Sequence, residues 1–439
     1  MFSRRNRRPK SPALLMAWES LDSGDVPGAL RQLRGAAESE PLAEVALVVG
    51  RAAAAAGFED LEKAGTALAA SPGKPQQLYD FGYACVERGV AYLAIPALRE
   101  ALRLAPDSTA ALRELVSAYE DEERHREAVD VLSAHEGRLT AWPDRYLLVF
   151  NAVLAGDLDL ARRHHALLPD PDDAMWRPAR DRQNRVLARA DHAAPVTALD
   201  GTDLRGWQFV LGGTILGTLS PYGFDAGMAG RYAWLQDSPE QCLRGLLRLK
   251  AVLEAAGTRP ASVSLLPDRG SRILGLAAAE VLGLPALPFA PERPDTVVLA
   301  YDLNDTLAAE DGPTVLKHLL HRTPGQVLHE HASCWTDTPA VTPDSVTLLH
   351  QSVVAPWAPG LRVTADGGVE QGEPDERPEA EIAAGIVAAD PTPDEGDGET
   401  PADPVERLTD FVAAVRDGWL SGERTRVTSA GPVTGSRFL

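Results

Sequence analysis

Two polar constellations in the second half of the sequence carry residue types that bind ligands. The first is a pair of loops, Asp268-Arg269-Gly270-Ser271-Arg272 and Asp302-Leu303-Asn304-Asp305-Thr306. Each follows an apolar run of the kind that forms a buried strand, Val263 to Leu266 and Val297 to Ala300. In an open parallel sheet a ligand sits in the crevice outside the carboxyl ends of the strands. Asp268, Arg269, Ser271, Arg272, Asp302, Asp305 and Thr306 are therefore the candidate ligand-binding residues. The same side chains serve equally as ordinary loop and helix-cap residues. The second constellation is His329-Glu330-His331 with Cys334. On a strand His329 and His331 share a face, and imidazole with thiolate suits zinc, which wants three or four such ligands. His318, His321 and His350 are the residues that would extend the set. H-x-H-x-x-C is not an established ligand spacing, so buried histidines and a buried thiol are the expected outcome and no metal is favoured. The sequence has no nucleophile elbow, no Walker loop, no G-x-G-x-x-G after a strand and no H-E-x-x-H.

The elements that must position these residues alternate in type. Pro239 to Gly257 is an amphipathic helix with Leu243, Leu246, Leu247, Leu249, Val252 and Leu253 on its apolar side, stopped by Gly257. Ile273 to Leu282 is a second helix. Ala286 to Phe289, Thr296 to Ala300, Gln326 to His331 and Ser345 to Leu349 read as strands, with His318 and His321 on a helix between two of them. Strand-helix-strand alternation predicts a mostly parallel sheet with right-handed crossovers, in an α/β domain over 196–369. At its start, Trp207 to Leu211 and Thr214 to Leu219 flank Gly212-Gly213 and read as a hairpin. The segment from Tyr222 to Trp234, rich in glycine and aromatics, is a packed loop or one that lines a ligand site.

The first third has a different period. Leu78, Phe81, Gly82 and Cys85 share one helix face. Gly89 breaks the run, and Ala94, Leu98, Ala101 and Leu102 mark a second helix closed by Pro106. Gly82 and Ala94 stand where two helices of a hairpin must approach closely. These positions resemble the tetratricopeptide repeat, whose period is about 34 residues. Leu112, Leu115, Tyr119, Ala128 and Leu132 fall in register one period on, and Leu148, Ala152, Gly156 and Ala161 one more. Upstream, Gly50, Gly57, Ala67, Ala69 and Pro72 match, then Gly24, Ala29, Leu33, Ala36 and Pro41. The resemblance covers 11–168 and implies a helical solenoid with a groove for a protein or peptide partner. His164 and His165 fall in the last repeat and read as helix-surface residues. Pro169 ends the array, and 169–195 reads as a linker with a last helix, Arg180 to Ala190, that would cap it.

The second half vaguely resembles a phosphoribosyltransferase-type domain of the competence-associated branch. The residues that carry this are Leu265-Leu266-Pro267-Asp268-Arg269-Gly270, Leu282-Gly283-Leu284-Pro285, and the apolar run Val297 to Ala300 followed by Asp302. The resemblance implies that Asp302 binds ribose or Mg²⁺ and that the Asp268 to Arg272 loop holds pyrophosphate. Two departures make the implied domain a degenerate one: Tyr301 replaces the first of the family's paired acids, and no glycine directly follows Asn304-Asp305-Thr306, where a phosphate loop needs one. Mg²⁺ is expected only if that reading holds; otherwise the cofactor is unknown.

Across 439 residues the net charge is -20. Twelve acids and a single base, Arg377, lie between Glu370 and Asp403, so 370–404 reads as an acidic disordered segment. An amphipathic helix then spans 405–421, with Leu408, Phe411, Val412, Val415 and Trp419 on one face, before a tail, 422–439. The balance excludes a general nucleic-acid binder, which needs Lys and Arg against phosphates. The basic start, 1–10, reads as a solvated tail. No apolar run long enough for a membrane span occurs. The three dispersed cysteines fit a reducing, cytoplasmic setting. The fold class expected is thus multidomain: an all-α helical-repeat solenoid, then an α/β domain. The function expected is an interaction scaffold or adaptor rather than an enzyme, with a degenerate ligand-binding or structural α/β domain. The alternative is a phosphoribosyltransferase-like enzyme, acting on a nucleotide or phosphosugar and regulated by the repeats.

Overall fold

The computed structural model describes residues 8–364, 368–425, 427 and 429–435. The basic tail expected over 1–10 and the tail over 422–439 lie partly outside these residues. The chain divides into two compact units, Met1–Asp172 and Asp173–Leu439.

The first unit is all helical. Its helices run in five consecutive pairs: α1 (Pro12–Asp22) with α2 (Val26–Ala36), α3 (Leu42–Ala56) with α4 (Glu59–Ala70), α5 (Pro75–Glu87) with α6 (Ala91–Leu104), α7 (Thr109–Asp121) with α8 (His125–Ala134), and α9 (Tyr146–Leu154) with α10 (Leu158–Ala166). The turn inside each pair needs one residue in the left-handed region. Gly24, Gly57, Gly89 and Gly156 supply it at φ of 83°, 80°, 70° and 77°, and Glu123 supplies it between α7 and α8 at 55°. Close approach is as the spacing predicts. A Cβ on Gly82 would stand 2.4 Å from Leu98 Cγ, and one on Gly65 would stand 2.8 Å from the Ala46 carbonyl oxygen. The pairs do not stack uniformly. The Tyr92 hydroxyl of α6 donates to the Leu30 carbonyl of α2 at 3.2 Å, and the Arg34 guanidinium lies 4.1 Å from the Tyr92 ring centroid. Arg34 also pairs with Glu122 at 2.6 Å, and Arg99 with Glu38 at 2.7 Å. The second helix of the first pair thus meets the second helix of the third. His164 is buried with Nδ1 2.8 Å from Arg145 Nη1, not on the surface as its sequence position suggests.

The second unit opens with α11 (Arg177–Ala193) and α12 (Leu204–Gly212), then β1 (Ile215–Leu216), β2 (Tyr232–Gln236), α13 (Pro239–Ala256), β3 (Ser262–Leu265), α14 (Arg269–Leu282), β4 (Ala286–Pro288) and β5 (Thr296–Ala300). There follow α15 (Leu303–Ala308), α16 (Gly312–Leu320), β6 (Val327–Cys334) and β7 (Ser345–Val354). A small hairpin, β8 (Leu361–Val363) with β9 (Val369–Gln371), and two helices, α17 (Glu379–Val387) and α18 (Val405–Val415), complete it. The main sheet is entirely parallel, in the order β7-β6-β5-β3-β4, with β1 and β2 both paired to β7. α14 packs on β3 and β5, and α13 on β6 and β7. The opposite face is closed by Leu303, Val315, Leu316 and Leu319 against Leu266, Val298, Ala300 and Leu328. Among the described residues no helix is long and apolar enough to cross a membrane.

Two further sequence expectations are corrected. Trp207 to Leu211 is helix, not the first arm of a hairpin: Leu204, Trp207, Val210 and Leu211 bury one helical face, Asp203 caps it through the Gly206 N–H at 2.9 Å, and Gly213 at φ 74° ends it. The last helix expected over Arg180 to Ala190 forms as α11, longer at both ends, within the second unit, where it packs on α12 and α18. The acidic stretch is ordered where it meets opposite charge or apolar surface. Ile382, Ala383 and Ile386 of α17 are buried beside α14. The Asp403 carboxylate is gripped from two sides, by Arg205 with Nη1 2.9 Å from Oδ1 and by Arg248 with Nη1 2.9 Å from Oδ2. A composition count misses both, because it cannot know which acids meet a buried arginine. α18 forms as its periodicity predicts and is shorter, with Phe411 edge-on to Phe209 at 5.9 Å. Below the sheet, Asp344 and Arg424 make a fully buried ion pair at 2.8 Å, with Arg322 as a second partner of Asp344.

Candidate functional site at the carboxyl ends of the sheet

The chain leaves β3 toward β4 on one side and returns to β5 on the other. The winding therefore reverses between β3 and β5, and at such a switch point the two following loops separate and open a crevice. Those loops carry Asp268 and Asp302. Asp268 caps α14, with Oδ1 accepting from the Ser271 N–H at 2.8 Å, and its Oδ2 accepts from the Thr306 hydroxyl at 2.8 Å. Asp302 caps α15 through the Asn304 N–H at 2.8 Å. Its other oxygen lies 3.7 Å from His350 Nε2 on β7. Glu330, fully buried on β6, accepts from the Leu303 N–H at 2.7 Å.

Charge crowding shows in the titration of these groups. Burial, and then the neighbouring charges of Asp305, Asp268 and Asp337, push the Asp302 carboxyl up to about 7 against the lowering effect of the Asn304 N–H. Asp305 is raised by burial and by Asp268, although its side chain remains open to solvent, which makes it the weaker shift. His350 is held down at about 4, first by burial and also by the charge of His331. Among the described residues neither of its ring nitrogens meets a hydrogen-bond partner at ordinary geometry.

Of the residues singled out from the sequence, Asp268, Asp302, Asp305 and Thr306 converge here. Arg269 and Arg272 do not. Arg269 donates to the carbonyls of Asp375 and Arg377 at 2.7 and 3.0 Å, and Arg272 pairs with Glu379 at 2.8 Å. Ser271 lies beneath the crevice, fully buried, its hydroxyl oxygen accepting from the Tyr301 N–H at 3.0 Å.

The histidine-cysteine set separates. His329 spends both nitrogens on hydroxyls, Ser345 at 2.8 Å and Thr347 at 3.1 Å. Cys334 faces the other side of the strand, toward Thr336 and the Gln351 carbonyl. His318 lies in α16 and His321 just past its end, where it pairs with Glu423 at 3.2 Å. His331 turns to the α13 face and meets two residues that the sequence did not single out. Its Nε2 lies 3.0 Å from Asp237 Oδ2 and 3.8 Å from Cys242 Sγ. Cys242 Sγ is 3.4 Å from the same carboxylate oxygen, and the Tyr301 hydroxyl donates to it at 2.9 Å. Among the described residues, these three side chains alone bring metal-type donor atoms within 4.8 Å of one another. Burial would raise Asp237, but the charge of His331 and the hydrogen bonds from His331, Ser238 and Tyr301 hold it below the usual carboxylate range. The Cys242 thiol is raised by burial and by Asp237. Asp237 ends β2 and Cys242 lies in the first turn of α13, far in sequence from His331; only the β2–β7 pairing brings them together.

Beside this cluster lies a cleft of about 630 Å³ whose lining includes Tyr232, Gln241, Arg244, Gly245, Arg248 and Thr347, covered by the segment from Pro391 to Val405. Compared with known proteins, the sequence matches no family model and no curated protein.

Proposed function

We propose that the first unit is a tetratricopeptide-type interaction surface that binds an extended protein segment, and that the α/β unit serves it as a ligand-binding or structural module. One observation carries the reading. Tyr79 and Tyr83 stand one helical turn apart on α5, stacked at 6.2 Å with Tyr83 exposed. Two repeat periods later Tyr146 and Phe150 repeat the arrangement on α9, stacked at 6.2 Å, with Trp142 5.5 Å from Tyr146. Tyr146 is itself buried, so the contact area at these equivalent repeat positions comes from the exposed Tyr83 and the half-buried Tyr79, Trp142 and Phe150, aromatics that bind at small entropic loss. Their surroundings are acidic: burial and then Glu114 raise Tyr79, and Glu114 is itself raised by burial, Glu87 and Asp121. The partner that fits carries apolar and cationic side chains.

The test is affinity capture on the full chain at near-native expression, comparing wild type with Tyr79→Ala/Tyr83→Ala and with Glu114→Lys. A specific partner lost by at least about tenfold in both variants supports the reading, since removing a central aromatic anchor costs about 2 kcal/mol or more. The same proteins recovered from wild type, variants and bait-free control would sink it. A second reading, a phosphoribosyltransferase-like enzyme, draws on the convergence of Asp268, Asp302 and Asp305. The diversion of Arg269 and Arg272 weighs against it, because it takes away the two cations of the loop that the resemblance assigns to pyrophosphate. Phosphoribosyl pyrophosphate with Mg²⁺ should then leave the melting temperature unchanged; a rise in wild type that Asp302→Ala abolishes would reverse the order of the two readings.

A further inference from the structure

We propose that Asp237, Cys242 and His331 form a zinc site. The three donor atoms come from elements that cannot easily move apart: the end of β2, the first turn of α13 and the middle of β6. All three side chains are buried, yet their donors crowd on one point rather than dispersing to separate partners. Zinc binds oxygen and nitrogen at about 2.0 Å and sulfur at about 2.3 Å, so the edges of a tetrahedral site run about 3.3–3.6 Å. The three separations here are 3.0, 3.4 and 3.8 Å. An ion placed between them meets each donor at its normal length with angles spread around the tetrahedral value.

The donor set selects the metal. Thiolate and imidazole favour zinc over magnesium or calcium, which want oxygen throughout. A single carboxylate with a thiolate neutralises the ion. Binding forms three coordinate bonds and releases the Cys242 proton to solvent. The fourth position falls to a water or to the Tyr301 hydroxyl, already 2.9 Å from Asp237 Oδ2. The cleft runs close to the buried donors, because Gln241, next to Cys242, and Gly245 both line it. A Cβ at Gly245 would stand 2.9 Å from His331 Nδ1, so only glycine there lets α13 pack this closely on the imidazole. Among the described residues that nitrogen has no hydrogen-bond partner. In zinc histidines the second nitrogen donates to a neighbour, and a water at the cleft wall is the group that can take it.

The test is elemental analysis of the full chain, purified without chelator from zinc-replete cells. About one zinc per chain is expected. Cobalt exchanged into the site should give a thiolate-to-cobalt charge-transfer band, retained in Cys85→Ser and Cys334→Ser and lost in Cys242→Ser, and His331→Gln should lose at least about tenfold in metal affinity. Should Cys242→Ser or His331→Gln fail to fold, the wild type and the other two serine variants still decide. Zinc below about a tenth of an equivalent in wild type with no cobalt band overturns the proposal, as does a band that disappears with Cys85 or Cys334.

Discussion

His350 and Asp302 give the crevice a pH signature that only appears when one of them is removed. His350 falls from an ordinary 6.5 to about 4 in the folded chain, and Asp302 rises from 3.8 to about 7. Between pH 4 and 6.5 the unfolded chain binds the histidine proton and the folded chain does not, so this residue makes stability rise with pH. Over the same interval the folded chain keeps the Asp302 proton while the unfolded chain has lost it, so that residue makes stability fall with pH. At roughly 1.4 kcal/mol per unit the two are worth about 3 and about 4 kcal/mol, opposite in sign. In the wild type they nearly cancel. Asp302→Asn removes one, and relative to wild type it should lose about 3 kcal/mol of stability on going from pH 6.5 to pH 4. His350→Gln should do the reverse, losing about 3 kcal/mol relative to wild type from pH 4 to pH 7. Hydrogen exchange in β5 and β7, corrected for intrinsic rate, reads the difference where it arises, which matters in a chain of two units. The reasoning fails if both variants keep the wild-type slope, or if the His350 ring titrates near 6.5 by NMR.

Glu123→Gly should stabilise the first unit by about 0.5–1 kcal/mol, because the left-handed turn costs an L-residue about 1–2 kcal/mol and glycine returns part of that as chain entropy. Thermal or denaturant unfolding followed at α7 and α8 checks it, and a destabilised variant would show that Glu123 is held there by its contacts instead. Asp344→Asn should destabilise the second unit by about 3–5 kcal/mol, since it leaves the buried Arg424 guanidinium without its anion. A change under about 1 kcal/mol in denaturant unfolding would mean that the Leu319 and Gln326 carbonyls satisfy Arg424 unaided.

The helix pairs were legible because their turns are local. A glycine at the left-handed position and apolar residues at helical spacing fix each hairpin within about 30 residues of sequence. The sheet was legible because Val263 to Leu266 and Val297 to Ala300 are buried runs bounded by loops. The exposed arginines of the Asp268 loop were not. Nothing in Arg269 or Arg272 says that Asp375 and Glu379 will reach back over them. Asp237 and Cys242 stayed hidden for the same reason. Each has an innocent local role, one ending a strand and one lying in a first helical turn. Their common partner His331 is reached only through a parallel pairing that joins β2 to β7. Trp207 to Leu211 misled because Gly212-Gly213 ends a helix as readily as it turns a hairpin.

Two consecutive residues divide the interior above β5. Tyr301 faces α13 and meets Asp237, and Asp302 faces the other side and meets His350. On β6 the same alternation sends His331 to one side and Glu330 to the other, as a strand's period of two requires. All eight residues of β6 are buried, and five of them, counting Cys334, are polar or ionisable. Apolar side chains would fill central strands of a parallel sheet at no desolvation cost, and each buried polar group costs several kcal/mol unless partnered. Among the described residues, His331 Nδ1 and both nitrogens of His350 lack a hydrogen bond of ordinary geometry, His350 Nε2 coming no nearer to Asp302 than 3.7 Å. A core selected for stability alone has no use for these groups. Their concentration at the carboxyl ends of β5, β6 and β7, around two clusters that face opposite sides of one sheet, falls where an open parallel sheet has its crevice, and it fits the ligand-binding role proposed for the α/β unit.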